Sequence, residues 1–122
     1  LYENPDQDLN ALWWKIVNEI QLVMPPDSTD NPDWAAKIHF TLAPVYYHNY
    51  LLGELMAAQL LRHIETKVSP EFFTKETGEV LINQFFKPAA LYSWNDKICR
   101  ITGEKLNPSH FVDIYCKAQI KS

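Results

Sequence analysis

The fold is decided by residues 44–67, which have the sequence PVYYHNYLLGELMAAQLLRHIETK. Apolar side chains recur there at helical spacing and cover more than half of the helix circumference; they are Leu51, Leu52, Leu55, Met56, Ala58, Leu60, Leu61 and Ile64. A helix that is apolar nearly all round is buried in a larger body. The stretch that Pro44 opens therefore predicts a long central helix, running to about Lys67 and covered by other segments.

A first helix is predicted before this stretch. Pro5-Asp6 offers a cap and a helix start, and Pro25-Pro26 stops the pattern. Between them the apolar residues recur at helical spacing; they are Leu9, Leu12, Trp13, Ile16, Ile20 and Val23. Residues 27–36 are polar and contain proline, which predicts a surface loop. Residues 33–40 fit either a short helix or an extended segment.

Further helix signals follow the long stretch. Ser69-Pro70 predicts a helix start, and Gly78 is expected to separate that helix from the next one. Ser93 predicts the cap of a helix that Gly103 ends. Asn107-Pro108 predicts the start of the last helix, with Phe111, Ile114 and Tyr115 on one face. No segment predicts a strand, so we expect an all-α fold, an irregular array of about six helices around one long central helix.

Composition limits the class of protein. The chain has 122 residues, of which 47% are apolar, enough for one domain or part of one. Its net charge is -4 and it has no basic stripe, which argues against a nucleic-acid partner. No apolar run is long enough to span a bilayer. The segment from Leu1 to Pro5 lacks a starting Met and a signal-peptide pattern, so we expect a fragment or a processed product.

The histidines and cysteines form no recognisable metal site. None of His39, His48, His63 and His110 is followed by Glu, so a His-Glu-x-x-His zinc helix is absent. Cys99 and Cys116 are too few to define a disulfide framework. We expect two buried thiols rather than a bridge, although pairing stays open. A Cys-His nucleophile also stays open, but nothing local activates either thiol.

Aromatic residues are concentrated at the start of the long stretch, where residues 44–50 hold three tyrosines and a histidine. Tyr47 and Tyr50 are three residues apart, which places them on one helical face. The positive end of a helix dipole there would favour an anionic group, and Lys37 and His39 lie a few residues upstream. Spacing alone favours core aromatics with incidental charges over a ligand site. Structural packing is likewise the interpretation of Trp13, Trp14 and Trp94.

The chain resembles the carboxy-terminal part of the peptidyl-dipeptidase A family, the angiotensin-converting enzyme-like zinc metallopeptidases. The similar segments are Leu12-Trp13-Trp14, Pro25-Pro26, Ala36-Lys37-Ile38-His39, residues 44–50, Ser93-Trp94-Asn95-Asp96 and Thr102-Gly103-Glu104. Their order and rough spacing agree over nearly all of the chain, more closely with bacterial members than with the animal enzyme. Oligopeptidases, which have their own paired tyrosines, are the family most easily confused with it.

The resemblance implies a function for the parent protein, which would remove dipeptides from peptide carboxy-termini. Residues 1–122 would be the helical substrate-binding portion of a larger, zincin-type catalytic domain. Zinc would be bound by the rest of that domain, so this portion alone would not be a catalyst. The partners implied are the peptide substrate and the remainder of the catalytic domain. The family resemblance also suggests a secreted or periplasmic protein.

Individual residues match the family pattern. Lys37 matches a lysine that holds the substrate's terminal carboxylate, and Tyr47 matches the tyrosine that assists it. His39 matches a histidine that hydrogen-bonds the substrate backbone near the scissile bond, and Tyr50 matches the tyrosine that donates to the oxyanion. Asn49 stands where the best-known member has a chloride-binding arginine, which puts chloride dependence in doubt.

Two features leave alternatives open. One extra residue separates His39 from Tyr47 compared with the family; without a gap, Tyr46 replaces Tyr47 and Tyr50 loses its match. A different class of function is a noncatalytic helical module that packs against or binds partners. In either case exposed apolar patches, and self-association that hides them, are expected.

Overall fold

A computed structural model of the chain describes residues 3–117. Within that range the protein has six α-helices and no strand, which confirms the predicted all-α class. The chain divides into two compact units, Leu1–His48 and Asn49–Ser122. None of the helices in residues 3–117 is both long enough and apolar enough to cross a membrane.

The first unit begins with helix α1, Leu9–Gln21. Asp8 caps it, because its Oδ1 accepts a hydrogen bond from the backbone N–H of Ala11 at 2.9 Å. Leu22 ends it in the left-handed conformation, with φ 58°. The helix is therefore shorter at both ends than the interval between Pro5-Asp6 and Pro25-Pro26 predicts.

The segment after α1 settles the open question about residues 33–40. Asp33–Ala36 forms a 3₁₀ turn, and Ile38–Thr41 forms the short helix α2. Two indoles tie this segment to α1. Trp14 Nε1 donates to Asp33 Oδ2 at 3.1 Å, and Trp34 Nε1 donates to Asn10 Oδ1 at 2.9 Å. These bonds satisfy polar atoms of large side chains that also pack against apolar neighbours.

The apolar stripe of α1 is only partly covered. Val17 is the buried residue of this helix, whereas Ile16 and Ile20 are 48% and 76% exposed. The predicted core face is therefore wrong for those two isoleucines. Too few segments pack against α1 among the described residues to cover its whole stripe.

The long helix α3 comprises His48–Lys67 and begins four residues later than predicted from Pro44. The reason is local, since Val45 has φ 57°, which a right-handed helix cannot include. Its second half carries all of its buried residues, Ala58, Gln59, Leu60 and Ile64. Its first turns are exposed, as Leu51 at 59% illustrates, so the prediction of burial all round is wrong for this half.

Helix α4, Lys75–Val80, departs most from the sequence prediction. It starts not at Ser69-Pro70 but at Thr74, whose hydroxyl accepts from the N–H of Thr77 at 3.3 Å. Gly78 does not separate two helices; it lies inside α4 and its N–H donates to the carbonyl of Thr74 at 3.1 Å. Helix α4 then continues directly into a π-helical turn, Leu81–Phe86.

The last two helices follow the prediction more closely. Helix α5, Trp94–Thr102, is capped by Ser93 and ended by Gly103 at φ 88°, as predicted. Helix α6, Ser109–Phe111, follows Asn107-Pro108 and continues as a second π-helical turn, Val112–Cys116.

Cys99 and Cys116 are both free, but Cys99 is half-buried and Cys116 exposed, so the prediction of two buried thiols is wrong. Trp94 is 45% exposed and is not a packed core residue.

The core of the second unit lies between α3, the π-helical turn after α4 and α5. Its buried residues are Leu60, Ile64, Ile98 and Ile101, and the half-buried ones against them are Met56, Val68, Leu81, Phe85 and Leu106. One polar side chain is buried beside this core. Gln59 is 1% exposed, and its amide binds the segment that joins α5 to α6.

Candidate functional site

The four predicted site residues fall in different units. Lys37, His39 and Tyr47 belong to the first unit, whereas Tyr50 lies in the first turn of α3 within the second. Tyr47 precedes α3, which begins at His48, so it is not a helix residue. The spacing argument that placed Tyr47 and Tyr50 on one helical face is therefore wrong.

Local backbone geometry positions Lys37 and His39. Lys37 is the extended residue between the 3₁₀ turn and α2, with φ -86° and ψ 108°. Its N–H donates to the carbonyl of Trp34 at 3.2 Å, and its carbonyl accepts from the N–H of Phe40 at 2.9 Å. This break between two short helices keeps Lys37 exposed, while His39, on α2, is half-buried.

An aromatic cluster, Trp13, His39, Phe40, Tyr46 and Tyr47, holds His39 in place. The His39 ring stacks on Tyr47 with centroids 5.2 Å apart and on Tyr46 at 5.8 Å. Phe40 contacts Tyr47 edge-on at 5.7 Å and also meets Trp13 edge-on at 5.7 Å. Such offset and edge-on pairs are the favoured aromatic geometries. Stacking occupies the face of the imidazole, whereas its two nitrogens lie at the ring edge.

Lys37 and Tyr47 line the same cavity, which has a volume of about 640 Å³. The apolar part of its wall consists of Trp13, Trp14, Val17, Val23, Met24, Pro26 and Ala36, and its polar part of Gln21 and Asp33. Within this wall Lys37 is the cation, and Asp33 already accepts the indole N–H of Trp14. An apolar wall with a few polar groups is the usual make-up of a small-molecule or peptide subsite.

Tyr47 also lines a second, smaller hollow of about 390 Å³, together with His39, Phe40, Val45, Tyr46 and His48. The same tyrosine thus belongs to the wall next to Lys37 and to the wall next to His39. Three of the four predicted residues are therefore brought together through Tyr47, within the first unit.

The sequence missed the residues that build these walls. Trp13 and Trp14 were interpreted as packing residues, and they do pack, but they also line the cavity of Lys37. Met24 and Asp33 carried no signal in the sequence that pointed to this cavity. A half-buried indole N–H needs a hydrogen-bond acceptor, and this requirement could have pointed to a partner such as Asp33.

The described part of the chain, residues 3–117, contains no group of three or more His, Cys, Asp or Glu side chains arranged to hold a metal ion. His48 and His63 both lie on α3, where they are separated by several helical turns. The two histidines therefore do not fit a shared zinc site.

Two carboxylates elsewhere have perturbed acidity. A hydrogen bond to His110 at 2.6 Å, and a further one from Asn107, lower the pKa of Glu104. A hydrogen bond from Lys117 lowers the pKa of Asp113. Both lie in the second unit and neither lines the cavity of Lys37 and Tyr47.

No family model, no curated protein and no solved structure matches this chain.

Proposed function

We propose that this chain is the carboxy-terminal, substrate-binding part of a zinc-dependent metallopeptidase of the peptidyl-dipeptidase type. The observation that supports the proposal most directly is that Lys37 and Tyr47 line one cavity. In this proposal the zinc and its ligands belong to the rest of the catalytic domain. The chain alone then binds the carboxy-terminal end of a peptide but does not cleave it.

The chemistry of the cavity suits a terminal carboxylate. An ammonium group and a phenol both donate to a carboxylate, and charge-assisted hydrogen bonds are stronger than neutral ones. No ion pair of Lys37 occurs among the described residues, so its charge is available to a ligand. The apolar side chains next to it, which include Trp13 and Met24, would contact the apolar part of a bound peptide end.

His39 and Tyr50 take the roles that the resemblance assigns. The edge nitrogens of the stacked His39 ring would bind the backbone of the substrate near the scissile bond. Tyr50 would donate its hydroxyl to the oxyanion that develops on the attacked carbonyl. A donor of this kind accelerates the reaction only when it is held in place before charge develops.

The indoles of Trp13 and Trp14 provide a direct test, because both line the cavity. We expect a short peptide with a free carboxy-terminus to change the tryptophan fluorescence saturably, and its carboxy-terminal amide to bind about tenfold more weakly. Lys37→Met should abolish that difference between acid and amide. Lys15→Met, at an exposed position of α1 outside the cavity, is the matched control. Equal binding of the acid and the amide by the unaltered chain would contradict the proposal.

A second test concerns the parent protein. The proposal requires a His-Glu-x-x-His motif encoded before Leu1, and dipeptide release by the zinc-loaded full-length protein. A full-length sequence without that motif would rule out the peptidase.

The alternative is a noncatalytic helical module that packs against a partner. Large exposed apolar side chains favour it, with Leu22 at 82%, Met24 at 75% and Phe73 at 99%. Such residues would also promote self-association. Sedimentation equilibrium together with the peptide titration separates the two functions, since a packing module would associate without preferring a carboxylate to an amide.

A further inference from the structure

A separate cavity lies in the second unit, beside the π-helical turn and α5. It has a volume of about 540 Å³, and its lining residues are Asn83, Gln84, Pro88, Tyr92, Lys97, Arg100 and Ile101. We call it the Arg100 groove. Its volume falls in the range of about 300 to 1,000 Å³ that is typical of small-molecule sites. None of its residues takes part in the proposed peptidase function.

Arg100 is presented in a way that suits an oxyanion. Its guanidinium carbon lies 4.4 Å from the centroid of the Tyr92 ring. This cation–π contact places the guanidinium over the Tyr92 ring and restrains its position. The N–H donors lie in the plane of the group, at its edge, and there they can pair bidentately with a carboxylate or a phosphate.

Lys97 stands one helical turn before Arg100 and lines the same groove. Its ammonium lies 5.4 Å from the centroid of the Phe85 ring and donates to the carbonyl of Ala89. A lysine ammonium has three donors, so two remain for a ligand. The contacts with Phe85 and Ala89 fix the position of this charge.

The two cations of the groove have no acidic counterpart. The lining contains no carboxylate, and the ion pairs within residues 3–117 involve neither Lys97 nor Arg100. The acidic residue nearest in sequence, Asp96, instead binds the hydroxyl of Ser93 at 2.7 Å. Two uncompensated positive charges one turn apart repel each other, and an anion between them would remove that repulsion.

The opposite wall is supplied by the π-helical turn Leu81–Phe86, which carries the carboxamides of Asn83 and Gln84. The Nδ2 of Asn83 donates to the carbonyl of Glu79 at 2.9 Å, and its second N–H remains for a ligand. π-Helical turns are rare and are frequent at functional sites. Here the turn and α5 together surround the groove with polar donors, whereas Pro88 and Ile101 contribute apolar surface.

We propose that the Arg100 groove binds a small molecule that carries a carboxylate or a phosphate on a compact apolar body. The oxyanion is held by Arg100 and Lys97, and the apolar body lies against Pro88 and Ile101. This inference is independent of the proposed peptidase function, because it concerns other residues in the other unit.

Nuclear magnetic resonance titration of the ¹⁵N-labelled chain tests the proposal, with benzoate and inorganic phosphate as probes at constant ionic strength. We expect saturable shifts of the amides of Asn83, Gln84 and Arg100 at millimolar probe. Arg100→Gln should weaken binding about tenfold, whereas Lys87→Gln, an exposed lysine outside the groove, should leave it unchanged.

Two comparisons distinguish the possible outcomes of the titration. Tighter binding of benzoate than of phosphate assigns the carboxylate, and the reverse order assigns the phosphate; either supports the site. Arg100→Lys keeps the charge but loses the bidentate guanidinium, so it should bind more weakly than the unaltered chain. It also shows whether the weaker binding of the glutamine variant results from misfolding. Shifts that stay linear up to about 20 mM of both probes, or equal binding by the three Arg100 forms, would overturn the proposal.

Discussion

The side chain of Gln59 on α3 donates to the hydroxyl of Thr102 at the end of α5, with Nε2 and Oγ1 3.0 Å apart. The same Nε2 lies 3.2 Å from the carbonyl of Glu104 and 3.3 Å from that of Lys105, and Oε1 accepts from the N–H of Asn107 at 2.8 Å. One buried amide thus fixes the whole connection between α5 and α6.

Replacing Gln59 should therefore be costly. Gln59→Leu would remove the acceptor of the Asn107 N–H and the donor to the Lys105 carbonyl inside the fold, where each unsatisfied group costs about 1 to 3 kcal/mol. The Glu104 carbonyl would keep its hydrogen bond from the Thr102 hydroxyl. We expect a loss of about 2 to 4 kcal/mol in the free energy of unfolding, measured by urea titration. Gln84→Leu, at an exposed position, is the control. A loss of less than about 0.5 kcal/mol would show that water replaces these bonds.

Gly103 should tolerate no side chain without strain. Its φ of 88° ends α5 in the left-handed region, and its N–H donates to the carbonyl of Cys99 at 2.8 Å. Space is not the obstacle, because an added Cβ would meet no atom within 4 Å. Gly103→Ala should thus cost about 1 kcal/mol through backbone strain alone. Gly53→Ala, in the interior of α3, should instead stabilise, since alanine is the better helix former.

Stability should depend on pH through Glu104. Hydrogen bonds from His110 and Asn107 lower its pKa in the folded state below the ordinary value of 4.5. The folded state therefore gains stability from ionised Glu104 at pH values above 4.5, and this gain is lost as the pH falls through the lowered folded pKa.

The variant Glu104→Gln isolates this effect. The difference in urea midpoint between the unaltered chain and the variant should shrink as the pH is lowered from about 6 to about 3. Glu76→Gln, an exposed carboxylate in the first turn of α4, provides the comparison. If the midpoint difference for Glu104→Gln stays constant over that interval, Glu104 does not have a lowered pKa.

In the proposed full-length peptidase, Tyr50→Phe should lower kcat by about tenfold or more with a smaller change in KM. The reason is that an oxyanion donor acts in the transition state and contributes little to substrate binding. Lys37→Met should show the opposite pattern, with KM affected more than kcat, because the terminal carboxylate is bound equally in both states. An unchanged kcat for Tyr50→Phe would remove the oxyanion role.

Local signals were predicted well from the sequence. Ser93 and Gly103 bound α5 as predicted, because a capping hydroxyl and a left-handed glycine act on their own neighbours in the chain. Gly78 was misinterpreted because a glycine can adopt helical angles as well as left-handed ones, at a modest cost. The late start of α3 depends on φ at Val45, a conformation that β-branched residues rarely adopt and that no pattern predicts.

The candidate site was also predicted only in part from the sequence. The resemblance singled out Lys37, His39, Tyr47 and Tyr50. Tyr47 lines one cavity with Lys37 and another with His39, whereas Tyr50 lines neither. The walls themselves come from α1 and from the segment after it, so tertiary packing rather than any motif determines them. The Arg100 groove was not predicted at all, because its donors come from α5 and from a π-helical turn that has no sequence signature.

The two π-helical turns bear on how this chain can change in length. In each of them a lysine N–H donates to the carbonyl five residues back, Lys87 to Ile82 at 2.8 Å and Lys117 to Val112 at 3.1 Å. Each wide turn thus holds one residue more than an α-helical turn. Deleting a single residue within Leu81–Phe86 would let the helix regularise without breaking. A deletion in α5 would instead rotate the residues after it by about 100° and take Ile98 or Ile101 out of the core. Single-residue deletions should therefore be tolerated more readily in these turns than in the capped helix, although the groove beside the first turn would change shape.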